Sequence, residues 1–376
     1  MSAVLLMTLI GCQPAPRPAV TPSPTASVSQ AALFACPATP ASSAPQTVLA
    51  NLPAPDDLAF DNSGRLLFSD INAGTVSALN PDGSIGRIAA GLSAPEGLVQ
   101  QPGGRILVAE QGRSRVMAID PPSQATSLWR AFVNRTGKDG IDGIGPELSN
   151  GDIVVPDSPN GVVWRVGADG KTAMQIASGM VRPVGAAVDA AGRIFVADEG
   201  GALWVLDPAR HRLTTLATPD DVLVGRDGHI FVNTLGDNAI HELDAQGHQL
   251  AVVSGIKQPQ GIALDGADNL YYTEFTSGRI ERMVHNFVLD AAKVSRSTGG
   301  AFVICPMIRR APGFNRPLRL SIGASASTSI LGVVQPGTDS SGAVEVRTSE
   351  HALTLTIDAG GSGANLALSE TVQVSP

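Results

Sequence analysis

The chain has 376 residues and a net charge of −8, enough length for one large domain and a smaller one, and no basic run that would attract nucleic acid. Its 41 glycines and 27 prolines, with no sustained helical periodicity, exclude a helical bundle and indicate an all-β chain full of tight turns.

Residues 1–12 read as a targeting segment. Ala3–Ile10 is a short apolar run, and Leu9-Ile10-Gly11-Cys12 resembles the lipobox of bacterial lipoproteins, whose cysteine thiol takes the lipid. An ordinary cleaved signal peptide is the alternative, and no Lys or Arg precedes the run. Residues 13–45 are rich in Pro, Ser, Thr and Ala and bury too little apolar surface to fold; a disordered tether is expected. No later segment has the length of a membrane span, so the expected location is outside the cytoplasm, held to the cell envelope by lipid alone. Cys36 and Cys305 flank the central repeats, whose ends meet if they close a ring. Export favours oxidation, and a Cys36–Cys305 disulfide is expected, against two unrelated thiols.

From about Pro55 to Glu274 one phrase recurs six times: a turn, an apolar strand, a Gly or Asn turn, and a second apolar strand ending in a polar residue. Copies include Pro55-Asp56-Asp57-Leu58 followed by Gly64-Arg65-Leu66, and Pro183-Val184-Gly185 followed by Gly192-Arg193-Ile194. A period of about 40 residues built from short strands predicts a β-propeller. Third strands such as Thr75–Leu79 and Ala202–Leu206 follow in each copy, and more polar fourth strands in all but the last. The orphan strand Thr47–Leu52 ahead of the first copy is expected to complete the sixth blade and close the ring, giving a six-bladed domain over residues 46–289. Residues 290–376 alternate apolar and polar positions between Gly/Ser turns, which predicts a small β-sandwich-like domain serving as a spacer or docking module.

The turn entering each innermost strand places one residue at the channel mouth: Asp56, Glu96, Asp142, Val184, Asp220 and Gln260. Fourteen positions later stand Asp70, Glu110, Asp198, Thr234 and Glu274, with Asp157 displaced by one. An acid recurring in nearly every copy fits a structural task, capping backbone N–H groups. The mouth position differs between copies and aims four carboxylates at one axis. Without a cation they repel and raise each other's pKa, and a hard divalent ion relieves this. Acids that merely open turns into water are the alternative.

The phrase Pro259-Gln260-Gly261-Ile262-Ala263-Leu264-Asp265, with Gly-Arg-Ile/Leu before the second strands, resembles the SMP-30/gluconolactonase/LRE-like propellers, which adjoin the NHL-repeat proteins, over residues 46–286. The resemblance implies a metal held by an acid of blade one, Asn of blades three and four, and Asp of blade five. The matching positions here are Asp56, Asp142, Val184 and Asp220; Val184 offers no donor, and Glu96 is the substitute ligand. The family's blade-one Glu-x-Pro phrase is absent. The implied activity is hydrolysis of a small lactone or ester with a divalent cation, Ca²⁺ first and Zn²⁺ or Mn²⁺ as alternatives. Asp220 is then ligand and base, with Glu96 or Asp221 as alternative bases. Arg182, Lys138 and Gln260 are candidate substrate contacts, and Asn134–Gly145 is a lid or an idle loop. The competing reading is a non-catalytic NHL-like surface propeller that binds a glycan, peptide or protein. Tyr272-Thr273-Glu274 followed by Arg279-Ile280 is also similar to streptogramin lyase-type propellers. The six histidines flank no Gly-x-Ser-x-Gly phrase, so no nucleophilic triad is expected.

Overall fold

A computed structural model describes residues 27–30 and 44–374, apart from 81, 147, 149, 298, 312–313, 315, 325–326, 335–343 and 360–365. Cys12 and Cys36 lie outside the described residues. Among those described, no helix is long and apolar enough to cross a membrane.

The chain is all-β, and antiparallel sheets arranged as in a propeller follow the sequence repeats one for one. The first sheet takes Pro55–Phe60, Leu66–Asp70, Thr75–Leu79 and Ile85–Ala90; the second runs from Pro95–Gln100 to Ala125–Ala131. The fourth and fifth start at Pro183–Val188 and Pro219–Val224. The third shows three strands, Ile153–Asp157, Val162–Val166 and Ala173–Ser178. The sixth adds Gln46–Leu49 to Ile262–Leu264, Leu270–Glu274 and Arg279–Met283. The orphan N-terminal strand pairs antiparallel with Arg279–Met283, and Thr47 Oγ1 donates to Glu281 at 2.7 Å. The innermost strand of the sixth sheet lies beside that of the first.

Local sequence explains each hairpin. The Asp61 carboxylate accepts from Ser63 N and Arg65 N at 2.9 Å, and Arg65 Nε returns to Asp61 at 2.8 Å. Asp189 and Arg193 repeat this arrangement. Between them Gly64 (φ 81°) and Gly192 (φ 84°) take the left-handed conformation that glycine adopts without strain. The recurring acids after the second strands do cap backbone. Asp198 accepts from Val181 N, Arg182 N, Gly200 N and the Trp204 indole, and Asp70 accepts from Ala54 N and Ala73 N.

Beyond the sixth sheet, Phe287–Arg296 and Phe302–Arg310 join Val344–Arg347 in one sheet, and Leu318–Ala324, Ser327–Val334, Ala352–Asp358 and Ala367–Gln373 make another. Phe287, Ile304, Leu320 and Leu355 pack into one core between them. Phe287–Arg296 crosses the boundary expected at 289/290, because Phe287 already belongs to this second core. Ser27–Gln30, inside the stretch expected to be a tether, pairs antiparallel with Val344–Arg347. Those four residues are therefore an edge strand, paired on one side with a partner about 315 positions away. Cys305, on Phe302–Arg310, is disulfide-bonded, to a partner outside the described residues.

Replacing Asp198 by Ala strips acceptors from three backbone N–H groups and one indole. Urea denaturation should show a loss of about 3 kcal/mol or more, since unsatisfied buried donors cost about 1–3 kcal/mol each. A loss below about 1 kcal/mol would contradict the capping role.

Candidate functional site

In sheets one, two, four and five the innermost strand is out of register with its neighbour at its first residues, between Pro55 and Leu58, Pro95 and Leu98, Pro183 and Ala186, and Pro219 and Val222. The bulge turns the residue after each proline towards the axis. The following position needs room. A Cβ on Gly97 would meet Ile144 N at 2.4 Å, and one on Gly261 would meet the Asp56 carbonyl at 2.4 Å. Glycine there lets adjacent inner strands approach, and the mouth closes to a cavity of about 20 Å³ lined by Asp56, Asp142, Val184, Asp220, Asp221 and Gln260, among others.

Asp56, Glu96 and Asp220 are 7%, 4% and 5% exposed, low enough that water cannot stabilise their charges separately. Burial, then the charge of Asp142, pushes the carboxyls of Asp56, Glu96 and Asp220 well above the usual carboxylate range. Asp142 is thus the electrostatic neighbour common to all three. Glu96 also hydrogen-bonds to Asp142, and Gln111 Nε2 donates to Glu96 at 2.9 Å and Asp142 at 3.3 Å. Asn233, fully buried, donates to Asp220 at 3.1 Å and to the carbonyls of Pro259 and Gln260, fixing Asp220 against the next strand.

Arg182 reaches the mouth as expected, but its guanidinium pairs with Asp142 and, at 2.8 Å, with Glu199. It is a counter-ion of the cluster, not a free anion-binding group. Lys138 is exposed in the loop after Phe132 and does not line the mouth cavity. The segment Asn134–Gly145 divides. Its first half is an exposed turn held by the Asn134 side chain, and Ile141–Gly145 is inner wall: Gly97 N donates to Asp142 O at 3.1 Å and Gly145 N to Val154 O at 2.8 Å. It supplies the third sheet's inner edge and does not cover the mouth.

Asp57 and Asp221 have a different task. Asp57 accepts from its own neighbour Leu58 N and from Leu98 N on the next sheet, both at 2.7 Å. Asp221 likewise accepts from Val222 N at 2.7 Å and from the Ile262 backbone. Each bridges two inner strands. Burial, opposed by those two backbone hydrogen bonds, pushes the Asp57 carboxyl up to about 7. Below them the channel widens into a second cavity of about 770 Å³ that contains none of the four mouth acids.

Sequence comparison of the copies missed Gln111, Glu199 and Asn233. All three sit beside a capping position: Gln111 and Glu199 just after one, Asn233 just before. The signal was present, because the copies differ there. After the cap stand Gln111, Ser158 and Glu199 in sheets two to four, but Ile71, Leu235 and Phe275 in sheets one, five and six. The backbone N–H groups of Ile71, Gln111, Glu199, Leu235 and Phe275 make equivalent bonds to the turn before the inner strand, at 2.9–3.1 Å. The position after the cap is thus polar in sheets two to four and apolar in sheets one, five and six.

Between pH 5 and 8 the raised mouth acids bind more protons in the folded chain than in the unfolded one, so stability falls as pH rises. Chelator-treated protein should melt several degrees higher at pH 5 than at pH 8, and Asp220→Asn should flatten that difference. A melting temperature that rises over this interval would contradict the reading of the cluster.

No family model matches the chain, and no curated protein matches it in sequence. Solved structures do. A gluconolactonase from Xanthomonas campestris aligns with a TM-score of 0.55 and 17% identity, over 68% of this chain and 96% of that one. A regucalcin from Agrobacterium tumefaciens, described as a calcium-binding protein, aligns with a TM-score of 0.55 and 15% identity, over 65% and 95%. A luciferin-regenerating enzyme gives a TM-score of 0.55 and 14% identity, over 64% and 94%. The chain has the fold of the SMP-30/gluconolactonase-like propellers.

Proposed function

We propose that the six repeat sheets are the six blades of one propeller, that the strands beyond Asn286 form a separate small β-module, and that the mouth hydrolyses a small lactone or ester with the help of a divalent cation. One observation carries this: buried Asp56 and Asp220 and half-buried Asp142 converge on a single small cavity, buried Glu96 hydrogen-bonds to Asp142 beside it, and one arginine balances them. The donor set suits a hard cation, because these are carboxylate oxygens with too little positive charge beside them. Asp56, Asp142 and Asp220 would hold it, with Glu96 in place of the donor that Val184 lacks. When bound, such an ion supplies charge compensation and polarises an ester carbonyl.

The remaining chemistry belongs to the chain. A carboxyl whose pKa burial has raised well above the usual carboxylate range is suited to take a proton from water, and Asp220 is the base because Asn233 fixes only one of its oxygens. Asp221 is committed to two backbone N–H groups and is the poorer base. Gln111 and Gln260 are placed to hydrogen-bond a substrate's polar end. Ile71, Leu235 and Phe275 offer its substituent an apolar half-rim, which favours lactones bearing a hydrocarbon chain over bare sugar lactones. The second reading, a binding propeller without turnover, is favoured by Arg182, whose charge already sits on Asp142.

For location, we read Cys12 as the lipidated residue of an exported, envelope-anchored protein, and Cys36 as the partner of Cys305. The strand Ser27–Gln30 supports the disulfide, since it lies in the same sheet as Cys305, two strands away or about 10 Å. The six residues from Gln30 to Cys36 span up to about 20 Å when extended. Calcium then meets the mouth outside the cytoplasm, and nucleic acid is not a partner.

Calorimetric titration of chelator-treated protein with Ca²⁺, Mn²⁺ and Zn²⁺ should show a site that Asp220→Asn weakens at least about tenfold. With the preferred ion, kcat/KM should rise with acyl-chain length across a lactone panel, and Phe275→Ser should remove most of that rise. Ion binding lost in Asp220→Asn with no turnover of any lactone or aryl ester would leave the binding propeller. No ion binding at all would remove the metal-dependent reading.

A further inference from the structure

Away from the channel, four ionisable side chains converge at the edge between the fifth and sixth sheets. Asp227 and His229 lie on the turn before Ile230–Thr234, Glu242 on Ala239–Leu243, and His285 on the junction between Arg279–Met283 and Phe287–Arg296. His229 Nδ1 is 2.7 Å from Glu242 Oε1 and 3.4 Å from Asp227 Oδ2. His285 Nε2 is 3.8 Å from each of the same two oxygens. Single donor atoms of Asp227, His229 and His285 all fall within 4.8 Å of one another.

We propose that these four side chains form a zinc site that clips the start of the C-terminal strands to the fifth sheet. The spacing suits the ion. Ligands at about 2.0–2.1 Å from a tetrahedral centre stand about 3.4 Å apart, and three of the four nitrogen–oxygen distances lie within half an ångström of that. The His229–Glu242 pair must open, by about 0.7 Å, as a direct hydrogen bond gives way to shared coordination, and Glu242, outside the three donors already grouped within 4.8 Å, joins them by side-chain rotation.

Chemistry favours zinc over a hard cation: two imidazoles with two carboxylates is a mixed nitrogen and oxygen set, unlike the all-oxygen mouth. Two neutral histidines and two carboxylates carry charge −2, which one divalent ion cancels. The outer contacts orient the donors. Asp227 Oδ1 accepts from His229 N at 3.0 Å, leaving Oδ2 free to ligate, and the His285 ring packs edge-on against Phe231 with centroids 5.6 Å apart. The neighbouring acid Asp268 is paired with Arg226 at 2.9 Å and does not compete. His285 N donates to Asn269 Oδ1 at 3.1 Å, and Asn269 Nδ2 donates to the Phe287 carbonyl at 2.7 Å, so the ion would tie down a junction that the backbone already holds on one side.

The test uses the full chain, stripped with chelator. Co²⁺ should bind one equivalent with the visible absorption of a four-coordinate site, and Zn²⁺ should displace it. His285→Ala and His229→Ala should each weaken Zn²⁺ binding at least about tenfold, whereas Asp220→Asn at the channel should leave the Co²⁺ spectrum unchanged. That last comparison separates this site from the mouth. If either alanine variant fails to fold, Zn²⁺ should still protect His229 and His285 of the unaltered chain from diethyl pyrocarbonate, read by mass spectrometry. Absence of Zn²⁺ binding, unchanged affinity in both folded variants, a spectrum abolished by Asp220→Asn, or no protection of the two histidines would each overturn the proposal.

Discussion

Crowding of carboxylate around the propeller axis is the constraint that organises this molecule. Asp56, Glu96, Asp142 and Asp220 are drawn together by backbone geometry, not by attraction: the bulges at the inner strands and the glycines beside them impose the approach. Like charges at such range repel strongly where water is excluded, so the surroundings must answer. They answer with Arg182, Gln111 and Asn233, and with carboxyls that stay protonated to unusually high pH. A structure that tolerates this strain at its centre draws its stability from elsewhere, in the capped turns and apolar faces between sheets.

Asp57 and Asp221 illustrate how one residue type serves both purposes. They sit one position from the mouth acids, yet their oxygens are engaged by backbone N–H groups of adjoining strands. Four of the six copies solve the same packing problem with glycine. In those copies the strands touch directly, and in the other two a carboxylate stands between them as a bridge.

Period and turn chemistry made the sheets legible, since Asp61-to-Arg65 and Asp189-to-Arg193 are local phrases whose hydrogen bonds close within five residues. The orphan strand was legible by elimination: one sheet lacked an edge and one strand lacked a sheet. The convergence of the mouth acids also followed from register alone. What escaped was set by long-range contact. Nothing near Arg182 announces that Asp142, 40 residues earlier, will take its guanidinium. Nothing in the Pro/Ser-rich stretch shows that Ser27–Gln30 will find an edge at Val344–Arg347. The split between Gln111, Ser158 and Glu199 on one arc and Ile71, Leu235 and Phe275 on the other was visible in the copies but acquires meaning only once the ring orders them.

The pairing of Gln46–Leu49 with Arg279–Met283 has a consequence for biosynthesis. Thr47 and Glu281, joined by a hydrogen bond, are separated by 234 positions, so this early strand waits for the last repeat before it finds its partner. Loop closure over such a distance is slow, and an unpaired strand edge invites association with other nascent chains in the meantime. A cell making this protein must keep that early strand apart from other chains until translation has passed the sixth repeat.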